Sequence, residues 1–352
     1  MSSLKISNSR IFGGSGWNRP TWTDCLLIED GAILAVGSSE IKEVRSEPVE
    51  NIDLEGALVL PGLCDAHLHL TAGGRSLRIP DLEGLDQVGL LDALRSYADT
   101  RVNSSDAWIK ALNWEPWRCG LNAELLDRTL PRKRVIVFTR DLHSCCCSTA
   151  ALAAAGIGSD TPDPPGGMVE RNPDGSPTGI LREAALGLIH EITSTPTPNE
   201  IERAILEAQD YIVSLGLTAV GEVLETGYEQ VYRRLDEENR LKIDIDAWLR
   251  IDDWDAGSQP PAEGRRFRLN TLKLFLDGAM GSHTAAMNRP YRDVPDSRGV
   301  LFYSDDEILS LVKPAVEMGW RLAIHAIGDR AVGQACRILS QLPPAASGRH
   351  RV

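Results

Sequence analysis

The chain has 352 residues, 42% of them hydrophobic, and a formal net charge of −13 at pH 7. That length allows two or more domains of ~150 residues and a large buried core. Acids spread along the chain, rather than massed in a tail, exclude nucleic acid and anionic membrane as expected partners.

Residues 1–58 read as the N-terminal part of a small β domain, a β-sandwich segment. Asp30-Gly31 separates the apolar runs 25–28 and 32–36, which is a hairpin signal. A further short strand covers 49–53. The opening residues have no apolar signal-peptide core, so no secretory signal is expected. No apolar run approaches the ~20 residues of a membrane helix.

The apolar run 58–63 then leads into Asp65-Ala66-His67-Leu68-His69. A strand alternates its side chains with period two, so His67 and His69 point to the same side, as a shared metal ion requires. On a helix the ligand spacing would be i, i+4 instead. Taken alone, His-x-His is as readily two unrelated histidines at a strand end.

Between 76 and 198 the pattern is less regular, with short strands at 108–112 and 135–138 and a Pro- and Gly-rich loop at 163–167. This stretch reads as an inserted α+β subdomain. It contains Cys145-Cys146-Cys147, which cannot fold back onto one tetrahedral metal. Seven cysteines with no Cys-x-x-Cys read as reduced thiols in a cytoplasmic protein.

From about 199 onward helix and strand alternate. Thr197-Pro198-Asn199-Glu200 is a capping box, followed by a helical apolar stripe and by Gly216 at the C-terminal cap. Strands follow at 217–223, 243–249, 272–276 and 322–325, with helices at 228–240 and 305–318. Ser304 and Glu307 cap the second helix, and Pro314 is expected to kink it. Repeated strand, helix, strand implies parallel pairing, in a (β/α) barrel or a doubly wound sheet.

Strand ends are where a barrel keeps its chemistry. Lys273 lies inside the apolar run 272–275, where an ammonium is costly unless paired or neutralised. His325 ends the last strand; alone, it is more often a satisfied core histidine. Glu222, at the end of the 217–223 strand, reads best as a structural ion pair, and His190 is given no role.

The segments 54–56, 60–62, His67-Leu68-His69, 163–167, 177–179, 216–220, 273–281 and 325–329 together resemble the metal-dependent amidohydrolase superfamily. The resemblance is to the branch containing N-substituted formamide deformylases, amidohydrolase family 3, and runs along the whole chain. It implies an α/β fold, a TIM-like (β/α)8 barrel built from 59–75 and 199–352, with 76–198 inserted between its first two strands. It implies metal ligation by His67 and His69 on the first strand, Lys273 on the fourth and His325 on the fifth. Lys273 would be carboxylated by carbon dioxide and bridge two divalent metals, zinc in this family. A water activated between them would hydrolyse a non-peptide C–N bond of a small amide or formamide.

The resemblance also calls for a sixth-strand His and an eighth-strand Asp acting as general base, both expected beyond Val352. On that reading the barrel is incomplete, with strands 1–5 and the start of the sixth, and the chain is truncated at its C-terminus. Trp114, His143 and His283 are candidates to line the substrate pocket, with plain packing an equal alternative for Trp114. Two other readings remain: a catalytically inactive fragment, and a deaminase-type aminohydrolase. The second would use one metal and no carboxylated lysine, so Lys273 argues against it. The oligomeric state is left open.

Overall fold

In the computed structural model the described residues are 3–13, 21–37, 50–100, 108–164, 166–190, 196–255, 260–280, 283–343 and 349–352. Val49, Pro165 and Gly281, which fall in segments named above, lie outside them. The chain divides into two compact units: Met1–Cys64 with Gly216–Ala219, and Asp65–Leu215 with Val220–Val352.

The first unit is built from β1 (Ser3–Ser7), β2 (Arg10–Phe12), β3 (Trp22–Thr23), β4 (Cys25–Glu29), β5 (Ala32–Gly37), β6 (Glu50–Asp53) and β7 (Leu58–Val59). They form two small sheets, ordered β5-β4-β1-β6 and β3-β2-β7. The hairpin expected at Asp30-Gly31 joins β4 to β5, with Glu29 opposite Ala32. Both turn residues have positive φ, 49° and 80°, as a tight two-residue hairpin turn requires. At the sheet's edge, β5 exposes Ile33, Leu34 and Val36.

The second unit takes up the chain within β8 (Leu63–Leu68), followed by α1 (Leu70–Ser76) and α2 (Gln87–Thr100). The region expected to be an insertion carries β9 (Trp108–Trp114), α3 (Ala123–Thr129), β10 (Arg134–Thr139), β11 (Ser144–Cys147), α4 (Thr149–Ala154), β12 (Gly167–Arg171), β13 (Pro177–Glu183) and α5 (Gly187–His190). Its five strands form a sheet of their own, ordered β12-β13-β11-β10-β9. The pairing of β9 with β10 is parallel and the rest are antiparallel. Each face has its own apolar cluster, and alternation sorts the residues between them. Val135, Val137 and Cys146 enter one cluster. Ile136, Phe138, Cys145 and Cys147 enter the other.

The remaining elements are α6 (Pro198–Ser214), β14 (Leu217–Val223), α7 (Glu229–Glu237), β15 (Asp244–Arg250), β16 (Ala262–Glu263), β17 (Phe267–Phe275), α8 (Asp305–Glu317), β18 (Arg321–His325) and α9 (Asp329–Leu339). Both expected capping boxes form, at Thr197/Glu200 and Ser304/Glu307. Gly216 follows α6 with φ +86°, the left-handed conformation that ends the helix. Helix α8 continues through Pro314 to Glu317. Strand β17 starts earlier than expected, at Phe267. Parallel pairing with β15 extends it, while Arg266 and Arg268 turn outward to Asp244 and mask the strand in the sequence.

The sheet order is β16-β17-β15-β14-β8, with β18 also paired to β17. The pairs β15/β17 and β17/β18 are parallel, and Arg351 makes a parallel bridge to Ala323. This is the expected α/β alternation, but two features depart from a barrel. The sheet is mixed, because β16 runs antiparallel on β17. Among the described residues no closed barrel forms, and β8 ends the row of strands.

Two glycines set how closely the elements approach. A Cβ on Gly221 of β14 would lie 2.5 Å from the Ala66 carbonyl oxygen and 2.7 Å from Trp248 Cζ2. A Cβ on Gly74 of α1 would lie 2.0 Å from the Ala204 carbonyl oxygen in α6. Close packing therefore holds α1 against α6 from one side.

Candidate metal centre

His67 lies in β8, and its backbone N–H donates to Asp65 Oδ1 at 3.0 Å. His69 is the N-cap residue of α1, with φ −109° and ψ 75°, and its imidazole makes no capping hydrogen bond. The two rings lie 5.6 Å apart, centre to centre, with their planes at 48°. The His67 ring is also 5.2 Å from that of Trp248.

Lys273 stands in β17, 4% exposed. Its Nζ lies 5.5 Å from the centre of the Trp248 ring and 5.1 Å from that of Phe275. Burial alone lowers its pKa, with no carboxylate to oppose the effect. His325 ends β18, 5.2 Å from the Phe275 ring. Its Nε2 donates to the Gly278 carbonyl at 3.0 Å, which leaves Nδ1 as the ring's lone pair.

The four groups sense one another. Burial lowers the pKa of His67 and His69, and the charge of Lys273 lowers both further. His325 adds to the effect on His67. The lowered pKa favours the neutral imidazole at His67 and His69, the state that metal binding requires. Among the described residues, no three His, Cys, Asp or Glu side chains come together as a metal-holding group by themselves.

Glu222 corrects one expectation. It is 1% exposed and, among the described residues, pairs with no cation. Its carboxylate accepts from the backbone N–H of Leu70 and, at 3.4 Å, of Thr71, the first two residues of α1. Tyr232 Oη donates to it at 2.9 Å. Burial raises its pKa to about 7 against the opposing pull of these hydrogen bonds. Its partners are peptide groups far away in sequence, which residue type and spacing do not reveal.

Asp277, just beyond β17, was not singled out in the sequence. It accepts from the N–H groups of Ala286 and Gly328, each at 2.8 Å, and of Ile327 at 3.0 Å. It ties the loop after Lys273 to the loop after His325. The available signal was an acid placed directly after an apolar strand.

The three pocket candidates do not join this group. Trp114 is a correction: it is 3% exposed in the core of the insertion, and its indole N–H is satisfied by the Cys119 carbonyl at 2.9 Å. Plain alternation would turn it away from Ile109 and Ala111; Asn113, with φ +63° beside a register shift in the β9/β10 pairing, brings it to their side. His143 is exposed and pairs with Glu183 at 2.9 Å. His283 has φ +55°, and its Nε2 lies 2.7 Å from Asp293. His190 stacks on Phe138.

The family model described as "Amidohydrolase family" matches residues 50–352. The chain belongs to that family. It is 28% identical over 361 residues to the N-substituted formamide deformylase of Arthrobacter pascens, covering 94% of this chain and 64% of the relative. It is 29% identical over 353 residues to Protein LONG AFTER FAR-RED 3 of Arabidopsis thaliana, covering 94% and 60% respectively. The chain thus spans somewhat under two thirds of the length of these relatives. Among solved structures it is similar to an uncharacterized metal-dependent hydrolase from Pyrococcus horikoshii OT3, with a TM-score of 0.79 and 25% identity. That match covers 97% of this chain and 68% of the other. An α/β TIM-barrel-like fold follows from these neighbours and from the family.

Proposed function

We propose that this chain carries the metal-holding part of a metal-dependent hydrolase acting on a non-peptide C–N bond, with His67, His69, Lys273 and His325 as ligands. The observation that carries the reading is Lys273: a lysine 4% exposed in an apolar strand, its Nζ over the rings of Trp248 and Phe275 and its charge felt by His67 and His69. Carboxylation by carbon dioxide would turn that costly cation into an anion that divalent metals hold in place, which gives the position a physical reason. Metal-dependent hydrolases among the structural neighbours and the formamide deformylase among the relatives support the same direction.

When bound, divalent metal, two zinc ions in this proposal, would lower the pKa of a water and polarise the scissile carbonyl. The chain's own part is to favour the neutral form of its imidazole donors. His67 and His69 resist protonation through burial and the neighbouring Lys273. The hydrogen bond to Gly278 fixes the His325 tautomer, so that Nδ1 is its donor atom. Trp248 and Phe275 keep water from the Lys273 stem and would favour the carbamate's contact with cations. All seven cysteines are free, five of them buried, which suits the reducing cytoplasm we propose as its compartment.

The test is zinc titration of the purified chain with and without bicarbonate, alongside hydrolysis of a panel of N-substituted formamides and N-acyl amines. Binding should weaken at least tenfold in His67→Ala and lose its bicarbonate dependence in Lys273→Ala. Zinc affinity unchanged in both variants would refute the assignment.

A further inference from the structure

Residue His69 occupies the N-cap of α1, a position whose side chain usually accepts a hydrogen bond from the first turn. Here it does not: the imidazole makes no such bond, and no acid lies in the helix's first turn. The first N–H groups of α1 still need acceptors. Glu222 supplies them from β14, taking Leu70 N–H and Thr71 N–H on its two carboxylate oxygens. A second ring of bonds fixes the carboxylate itself. Tyr232 Oη donates to Glu222 at 2.9 Å and lies 2.6 Å from Thr71 Oγ1, which also reaches Glu222 at 3.5 Å. Tyr232 and Thr71 are each at most 1% exposed, so this network is sealed from water.

We propose that Glu222 is a positioning residue for His69: by capping α1 from outside, it frees the imidazole from the capping role and fixes the backbone turn that aims it. The inference rests on the metal-centre reading above and adds to it a residue that touches no ligand atom. The geometry gives α1 two anchors, Glu222 at its first turn and the Gly74–Ala204 contact further along. Between them the helix has little freedom to rotate, so the direction of His69 is set before any ion arrives. Without Glu222, two N–H groups would lack this acceptor, and His69 stands at the N-cap, the position from which a side chain usually supplies one.

The experiment compares cobalt(II) binding to the intact chain and its variants, read by competition with a chromophoric chelator and by the visible ligand-field spectrum. Glu222→Ala should weaken cobalt binding about 10–100-fold and alter the band shape, the usual scale for losing a group that orients a ligand. Glu222→Gln keeps one acceptor oxygen and should recover part of the loss. Tyr232→Phe, which leaves the carboxylate in place with one bond fewer, should weaken binding severalfold and serves if Glu222→Ala does not fold. Asn122→Ala, which removes the cap of α3 in the insertion, an element outside both anchors of α1, is the control for lost stability alone. Wild-type affinity and spectrum in both Glu222→Gln and Tyr232→Phe overturn the proposal. So does a loss no greater than that of Asn122→Ala at matched melting temperature. A wild-type chain that binds no cobalt, or binds it equally after His67→Ala, instead overturns the metal-centre reading and this inference with it.

Discussion

Lys273 Nζ stands 5.5 Å from the centre of the Trp248 indole. The ring faces offer the ammonium a cation–π attraction of about 1–2 kcal/mol. Removing an ammonium from water costs several kcal/mol. Desolvation wins, so the unmodified lysine is a net burden on the metal-free fold. Lys273→Met should therefore leave the melting temperature of chelator-treated protein unchanged or raise it by a few degrees, while abolishing bicarbonate-dependent metal binding. A fall of more than about 3 °C, equivalent to roughly 1 kcal/mol, would show that the ammonium stabilises the fold.

Gly221 makes a prediction of opposite sign. A methyl group there would press on the Ala66 carbonyl at 2.5 Å and on Trp248 at 2.7 Å. The first of these is backbone and cannot rotate away. Gly221→Ala should cost about 2–3 kcal/mol, read as a lower urea midpoint with an unchanged slope. Gly31→Ala is the contrast. Nothing lies within 4 Å of its Cβ, so only the φ of +80° is at stake, and the expected loss is nearer 1 kcal/mol.

The pH dependence of stability should carry the mark of Glu222, whose carboxyl is raised from 4.5 to about 7 by burial. The folded state then holds a proton that the unfolded state has already released. Its stabilising contribution is complete below pH 4.5 and is lost as pH rises through about 7. The loss is at most about 3 kcal/mol. Urea midpoints of wild type and Glu222→Gln measured across that window should diverge, the wild type falling more steeply as pH rises. Parallel profiles would contradict this.

Thiol reactivity should separate the cysteines by burial. Cys64 and Cys336 are exposed and the other five are buried. Burial raises the Cys146 thiol well above its usual range; for Cys147 the contact with Cys145, Sγ to Sγ 3.7 Å, comes first and burial second. Low thiolate content and no access both slow the reaction. Iodoacetamide under native conditions, followed by peptide mapping, should label Cys64 and Cys336, and the triple run only after denaturation. Rapid native labelling of Cys146 would show that the insertion opens.

Much of the architecture was legible in the residues because its causes are local. The Asp30-Gly31 hairpin needs two positive φ angles, and the capping boxes at Thr197 and Ser304 close within four residues. Strand 217–223 follows from an apolar run bounded by Gly216. Period-two alternation accounts for His67 in β8 but not for His69, which the fold places at the N-cap of α1. The start of β17 was hidden because Arg266 and Arg268 find their partner, Asp244, on a neighbouring strand.

The sequence alone determined the alternation of helix and strand, a His-x-His pair at the end of an apolar run and the oddity of a lysine in an apolar run, since each depends on neighbours within a few residues. Only the tertiary structure decided what those residues meet. It placed Trp114 in a core, with its N–H satisfied by Cys119, because the face a strand buries depends on the sheet it joins. It gave Glu222 backbone N–H groups 152 and 151 residues away instead of a cation. A buried carboxylate is satisfied by whichever donors the fold brings to it, and peptide donors are the same at every residue, so no pattern of side chains can announce them.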